Sequence, residues 1–428
     1  MCVFQSAMSD DRGGGEGGDR ETDRTQTSEL SIDEYADTVR SVSPSELPDL
    51  LRTVGRVTRS ENERAEQLVR RMEPLLDSES ENTRIAATRT ISTLASIHPD
   101  PISTTTDTLA ERFDDDSAAV RAAAVRAFVS LADRKPEAVV PHIEAIEPLL
   151  VDDVLYVGEA ALGVLESLLP EYLEAILPIQ PTLIEALESP PPLDPADRRR
   201  WMEQHPTYRK TLEKELSTAS DRERYLSSVS NAVAQVTVQR PSASRETVPT
   251  MATVLSREAS TPVRRNLLDA IGAVAEADPA AAAPAIDAVV EVLVETHNDE
   301  LKSKASWTLA WIAEGAQDEV VSSVSERTSS LFSTLETTDD DLRGGVLALF
   351  SHVAELDPDA VEPAVPQIRS LLDDDSRSIR GAAVWTLAYA GTAEDRNRIR
   401  EMAAADPDPD VRAAAHDVLQ YVNNHHNI

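Results

Sequence analysis

The sequence contains little cysteine, lysine or aromatic residue. Its 428 residues include one cysteine, Cys2, five lysines among 41 basic residues, and 4% aromatic residues. One cysteine excludes an internal disulfide and a cysteine-based metal site. No apolar run approaches the roughly 18 residues of a membrane-spanning helix. The chain begins without a basic and apolar signal segment, so we expect a cytoplasmic protein.

Acidic residues greatly outnumber basic ones. The 76 Asp and Glu residues against 41 Lys and Arg give a formal net charge of −35. One interpretation is a cationic partner, and the other is adaptation to molar salt. We favour the second because the acid is spread over the whole chain, and because at about 1 M salt the Debye length is only about 3 Å, which screens the repulsion. The composition therefore predicts a protein from an extreme halophile.

A unit of about 37 residues recurs along the chain. Each unit contains an Asp-rich turn, an Ala-rich helix, a turn that often carries proline, and a second helix with apolar residues at helical spacing. We expect the Asp carboxylates to cap the first helices, and the second helix to show this apolar spacing as over 137–150 and 359–372. The interval of 106 residues between Gly158 and Arg264 is close to three periods, which predicts further, weaker units inside it. No segment shows the period-2 alternation of a strand.

One acidic and one basic position recur six residues apart. The pairs are Asp115–Arg121, Asp374–Arg380, Asp406–Arg412 and Glu258–Arg264, whereas Ser78, Thr296 and Thr337 replace the acid in other units. In this pattern the chain resembles the HEAT-repeat family in its short prokaryotic form, the HEAT-like repeats of phycobilisome lyases. The resemblance implies an all-α fold, a right-handed α-solenoid of HEAT-like helix pairs, whose concave face is lined by the second helix of each unit. It also implies a ladder of ion pairs between repeats, formed by Arg84, Asp115, Arg121, Glu258, Arg264, Arg343, Asp374, Arg380, Asp406 and Arg412.

The pattern divides the chain into six regions. They are a disordered, acidic, Gly-rich tail at 1–28, capping helices at 31–76, HEAT-like repeats at 77–189, an irregular insertion at 190–221, further repeats at 222–420, and a loose tail at 421–428. Because each repeat buries its faces on its neighbours, we expect one continuous solenoid.

The insertion is the main candidate for partner binding. It combines basic and aromatic side chains, a composition typical of interaction hot spots: Arg198, Arg199, Arg200, Trp201, Tyr208, Arg209 and Lys210. The alternative is a solvated surface segment in which glutamates pair with these arginines. Trp307, Trp311 and Trp385 are expected to pack between repeats, with an aromatic patch for a partner helix as the alternative.

No motif for catalysis or for a cofactor is present. The chain has no G-x-S-x-G, no phosphate-binding glycine loop and no His-Glu dipeptide, so we expect no catalytic residues, no cofactor and no metal. The sequence therefore favours a non-catalytic scaffold or adaptor that binds a protein partner along its concave face. Two alternatives remain: a HEAT-like lyase or cofactor-assembly factor, and a nucleic-acid-associated protein that uses the basic insertion at 194–216.

Overall fold

The computed structural model describes residues 30–59, 61–190 and 221–425. Within these ranges the chain is helical and forms a stack of helix pairs around one continuous core of Ala, Val, Leu and Ile side chains. Two rows of helices follow the stack. The Ala-rich row holds the first helix of each unit, and the second row holds the helices between them. None of the described helices is long and apolar enough to cross a membrane.

The Ala-rich row is built of long helices that contact one another in succession. Its members are Glu81–Ile97, Ala118–Ala132, Leu155–Leu168, Asp221–Gln239, Thr261–Ala277, the first part of Asp299–Val324, Asp340–Leu356, Arg377–Ala390 and Pro409–His425. Their small side chains permit this close approach. In the described residues before the row, the α-helices are Ile32–Ser41, Leu47–Leu51, Val54–Thr58 and Asn62–Met72. The first of these begins with a capping box between Ser31 and Glu34.

The second row is more broken than the sequence predicts. Its α-helical pieces are Pro99–Ile102, Thr106–Ala110, Pro136–Val139, Ile143–Ile146, Leu173–Ile176, Gln180–Glu188, Val248–Arg257, Pro279–Ala282, Ile286–Glu295, Pro358–Val361, Val365–Ser370 and Ala393–Ala405. Short 3₁₀ segments separate several of them, for example Val140–His142 and Glu147–Val151. The second helix expected over 137–150 is thus divided into α-helical and 3₁₀ segments. Pro141 and Pro148 lack an N–H and crowd the preceding turn, and each begins a 3₁₀ segment with its neighbour.

In several units a proline begins the first helix of the second row. Pro99, Pro136, Pro279 and Pro358 each occupy the first position of a helix, where the missing N–H would be unpaired anyway. The equivalent turn inside Asp299–Val324 has no proline, and its backbone leaves the helical region only at Ala316. There Gly315 faces the preceding unit, and a Cβ on it would lie 2.8 Å from Pro279 Cβ and 3.0 Å from the Ala280 nitrogen. Glycine is thus required for this close approach.

The acidic turn residues accept hydrogen bonds in the turn that precedes each first helix. The side chain at the recurring acidic position accepts the N–H two residues later, as Asp115 does from Ser117 at 2.9 Å. Thr296 and Thr337 do the same through their hydroxyls. The helix caps themselves are mainly other residues, such as Ser80 and Asn298. The expectation that aspartates cap every first helix is therefore corrected: most of them fix the turn that precedes it.

Only one unit is described inside the 106-residue interval, where three periods would predict two. This unit consists of Asp221–Gln239 and Val248–Arg257. The helix Asp221–Gln239 packs directly on Leu155–Leu168 and on Thr261–Ala277. The remaining length of the interval is residues 191–220, which lie outside the described chain. The stack therefore continues across the insertion without a missing layer.

Candidate functional site

Arginines of the Ala-rich row connect neighbouring units. Each donates two hydrogen bonds to the carboxylate at the recurring acidic position of the next unit. The pairs and their distances are Arg84–Asp115 at 2.8 and 3.0 Å, Arg121–Asp152 at 2.8 and 2.9 Å, Arg343–Asp374 at 2.7 and 3.5 Å, and Arg380–Asp406 at 3.0 and 3.0 Å. Such bidentate, charge-assisted bonds are geometrically specific. The hydrogen bonds from Arg380 lower the pKa of the Asp406 carboxyl.

Three of these arginines, and Arg412 in the last unit, also bind their own turn. Arg84, Arg121, Arg380 and Arg412 each donate to the carbonyl oxygen six residues earlier, at 2.6 to 3.0 Å. The six-residue spacing thus reflects a hydrogen bond from the arginine to the main-chain carbonyl at the acidic position of its own unit. The carboxylate at that position is bonded instead to the arginine of the preceding unit. Asp152 was not singled out from the sequence, although it lies six residues before Gly158 and occupies the acidic position.

Two residues predicted to belong to this ladder, Arg264 and Glu258, do not form the regular pair with the residue expected. Arg264 donates to the carbonyl oxygen of Glu258 at 2.6 Å, while the carboxylate of Glu258 is held by Arg222 at 2.8 and 3.1 Å. On the far side of the joint, Thr296 offers Arg264 no carboxylate. The regular ladder pair is therefore absent between the units beginning at Thr261 and Asp299, within the described residues.

An open groove of about 780 Å³ lies over this stretch of the Ala-rich row. Three successive helices line it: Asp221–Gln239, Thr261–Ala277 and the first part of Asp299–Val324, with Asp341 at the edge. The lining combines tryptophans, small apolar residues, amides and carboxylates. Aromatic side chains together with a few oriented polar groups are common at the centres of protein interfaces and in ligand sites.

Trp307 and Trp311 form the aromatic wall of the groove. Both are half-buried, and their ring centroids lie 6.1 Å apart. The Trp307 indole N–H donates to the Asp341 carbonyl oxygen at 3.1 Å. A Cβ on Gly345 would lie 3.0 Å from Trp307 Cδ1, and one on Gly272 would lie 3.3 Å from Trp311 Cζ3. Glycines of the flanking units thus make room for both indoles, so these rings pack between repeats and also line an accessible surface.

Trp385 occupies the same repeat position as Trp307 but does not line the groove. It is half-buried against the core.

The groove carries a negative excess. Its titratable lining consists of the carboxylates Asp269, Glu276 and Asp341 and the ammonium of Lys304. Lys304 is paired with Asp269, and the Ser303 hydroxyl donates to Asp341. In the described part of the chain, no group of three or more His, Cys, Asp or Glu side chains is arranged to hold a metal ion.

The partner-binding residues predicted in the insertion lie outside the described residues. They are Arg198, Arg199, Arg200, Trp201, Tyr208, Arg209 and Lys210. The described helices on either side, Gln180–Glu188 and Asp221–Gln239, pack against each other.

Helix pairs stacked in two rows around a shared core define an α-solenoid repeat protein. Among known folds, a crystal structure of an engineered protein is similar over 92% of this chain and 98% of its own, with 17% identity and a TM-score of 0.57. A chain from a structure of the interaction between cadherin and β-catenin, controlled by a conserved phosphorylation switch, is similar over 88% of this chain and 71% of its own, with 14% identity and a TM-score of 0.57. At these identities the likeness concerns the fold alone.

The family model described as HEAT repeats matches residues 328–420. This match, together with the stacked helix pairs, confirms the predicted HEAT-like repeats and the all-α solenoid fold. A comparison with curated proteins gives no match. Chains of solved structure match in large number, 492 in all, so the fold by itself does not select a partner.

Proposed function

We propose that this HEAT-repeat protein is a non-catalytic scaffold or adaptor that binds a protein partner in the groove of Trp307 and Trp311. The observation that carries the proposal is the half-buried tryptophan pair in an open groove on three successive helices. Tryptophans in such positions are the residues that contribute most to protein interfaces. An extended solenoid surface also suits a long or segmental partner better than a small substrate.

We infer that the Ala-rich row forms the concave side of the solenoid. The helices of this row pack directly on one another in succession, and their small side chains permit a close approach. A curved stack is shorter along its inner side, where the closest-packed helices must lie. This inference reverses the expectation from the resemblance, in which the second helix of each unit lines the concave face.

The chemistry of the groove favours a protein over a nucleic acid. Three carboxylates and one ammonium line it, whereas phosphate backbones are bound by lysine and arginine. The similarity to a chain from a cadherin–β-catenin structure supports the use of this fold in contacts between proteins. The insertion at 194–216 remains a proposed second contact, and cytoplasmic location and adaptation to high salt remain proposals based on composition.

The proposal is tested by filling the groove with a bulky neutral side chain. Ala273 lines it, and Ala273→Tyr should abolish recovery of the partner when the protein is purified by affinity from its native cells at native salt. The matched control is Ala404→Tyr, an exposed position in the second-row helix Ala393–Ala405. The same partner set with both variants and the unaltered protein would contradict the proposal.

A further inference from the structure

One carboxylate of the groove has no partner within the described chain. Asp269 is paired with Lys304, and Asp341 accepts from Ser303. Glu276 is exposed, and among the described residues it forms neither an ion pair nor a side-chain hydrogen bond. Its charge is therefore available to a molecule in the groove.

Glu276 and Trp311 line the same groove from adjacent helices. Glu276 lies four residues after Gly272, which places both on one side of the helix Thr261–Ala277. Gly272 is in contact with Trp311, since a Cβ there would lie 3.3 Å from the indole. The indole and the carboxylate thus line the same part of the groove about one helical turn apart, and Val238 adds an apolar surface that is 53% exposed.

The opposite wall offers amides. Asn231, Gln235 and Gln239 project from the helix Asp221–Gln239 into the groove, and their side chains make no hydrogen bond with other described residues. Asn and Gln side chains both donate and accept, so they match the alternating N–H and C=O groups of an extended polypeptide.

We propose that the groove recognises an extended polypeptide segment through an Arg or Lys side chain whose cation lies on the Trp311 face beside Glu276. The cation is attracted by the indole ring and by the carboxylate. Its aliphatic stem covers Val238, and the amides of Asn231 and Gln235 bind the main chain of the segment. This inference rests on the proposed function and specifies the chemistry of the partner at the same site.

The test uses fluorine NMR of protein labelled with 5-fluorotryptophan. The chain has four tryptophans, so their resonances can be assigned by Trp→Phe variants. The probe is acetyl-tetraarginine amide, and the control is acetyl-tetracitrulline amide, which has nearly the same shape without the charge. Titrations are carried out at the lowest salt at which circular dichroism shows full helix content.

The expected result is a saturable shift of the Trp311 resonance with the arginine peptide while the Trp385 resonance is unchanged. Glu276→Gln should raise the dissociation constant about 5-fold, and citrulline should weaken binding about 10-fold or more. Glu326→Gln, an exposed second-row position, should have no effect. Equal shifts with both peptides, no shift at Trp311, or an unchanged constant for Glu276→Gln would overturn the inference.

The two proposals fail separately. If Ala273→Tyr abolishes partner binding but Trp311 does not discriminate arginine from citrulline, the groove binds a partner of different chemistry. If Ala273→Tyr leaves partner binding intact, the proposed function itself is wrong.

Discussion

Arg380 and Asp406 join the last two units of the stack through two parallel hydrogen bonds of 3.0 Å each. Their side chains are 11% and 5% exposed, and a third nitrogen of Arg380 donates to the Asp374 carbonyl oxygen at 2.9 Å. One guanidinium therefore fixes both its own turn and the next unit. Similar pairs recur at Arg84, Arg121 and Arg343.

Breaking this pair should destabilise the end of the solenoid. Asp406→Asn leaves the buried Arg380 without its counter-charge, which should cost about 3 kcal/mol in the free energy of unfolding. The control is Asp410→Asn, because Asp410 pairs with Arg377 at 3.4 Å where both side chains are largely exposed, and its loss should cost about 0.5 kcal/mol or less. Urea denaturation followed by circular dichroism measures both. Equal effects of the two substitutions would contradict the account of the ladder.

Restoring the missing ladder acid should stabilise the joint at the groove. Thr296 occupies the acidic position and already accepts the Asn298 N–H at 3.2 Å. Thr296→Asp keeps this acceptor and adds a carboxylate opposite Arg264, for an expected gain of about 1 kcal/mol. Thr296→Asn supplies the acceptor without the charge and serves as the control. A thermal midpoint no higher for the Asp variant than for the Asn variant would count against the shared geometry of the joints.

Two glycines of the Ala-rich row should respond oppositely to alanine. A Cβ on Gly345 would overlap with Ser306 Oγ and lie 3.0 Å from Trp307 Cδ1, so Gly345→Ala should cost about 2 kcal/mol and change the tryptophan emission. Gly381 has no atom within 4 Å of the added Cβ, and there alanine should stabilise by about 0.5–1 kcal/mol through helix propensity. Stabilisation by Gly345→Ala would contradict the packing of Trp307 on Gly345, and a cost for Gly381→Ala would contradict the open space beside Gly381.

Asp395 should make stability depend on pH in the acid range. Hydrogen bonds from Arg369 lower the pKa of its carboxyl from 3.8 to about 2, against the opposing effect of burial. A lowered pKa in the folded protein means stabilisation above about pH 4 that is lost as the pH falls towards 2. Asp395→Asn should therefore cost about 2 kcal/mol at pH 7, and its difference from the unaltered protein should shrink below pH 4.

The control for this experiment is Glu394→Gln, which changes the exposed neighbouring acid. It should give nearly the same urea midpoint as the unaltered protein at pH 7 and at pH 3. A cost for Asp395→Asn that is constant from pH 7 to pH 3 would contradict the pairing with Arg369.

The sequence predicted the repeat and the fold because both follow from local spacing. The six-residue interval between acid and arginine reflects contacts of each unit with itself and with its neighbour. The sequence also contains the cause of the breaks in the second row, since Pro141 and Pro148 cannot continue a helix. The apolar periodicity runs across these prolines, so it does not indicate the breaks. The groove was not predictable in the same way, because it depends on which faces of three helices meet. Trp307 and Trp311 were visible four residues apart, whereas the position of Glu276 in the same groove as Trp311 follows only from packing over Gly272.

The most direct test of the central claim is site-specific photocrosslinking in cells at native salt. Benzoylphenylalanine is introduced at Gln235 in the groove and, as the control, at Ser370 on the exposed surface of the second row. The account predicts a covalent protein adduct at position 235 that disappears in the Ala273→Tyr background, and none at 370. An adduct at 370 but not at 235, or one at 235 that persists in that background, would contradict it.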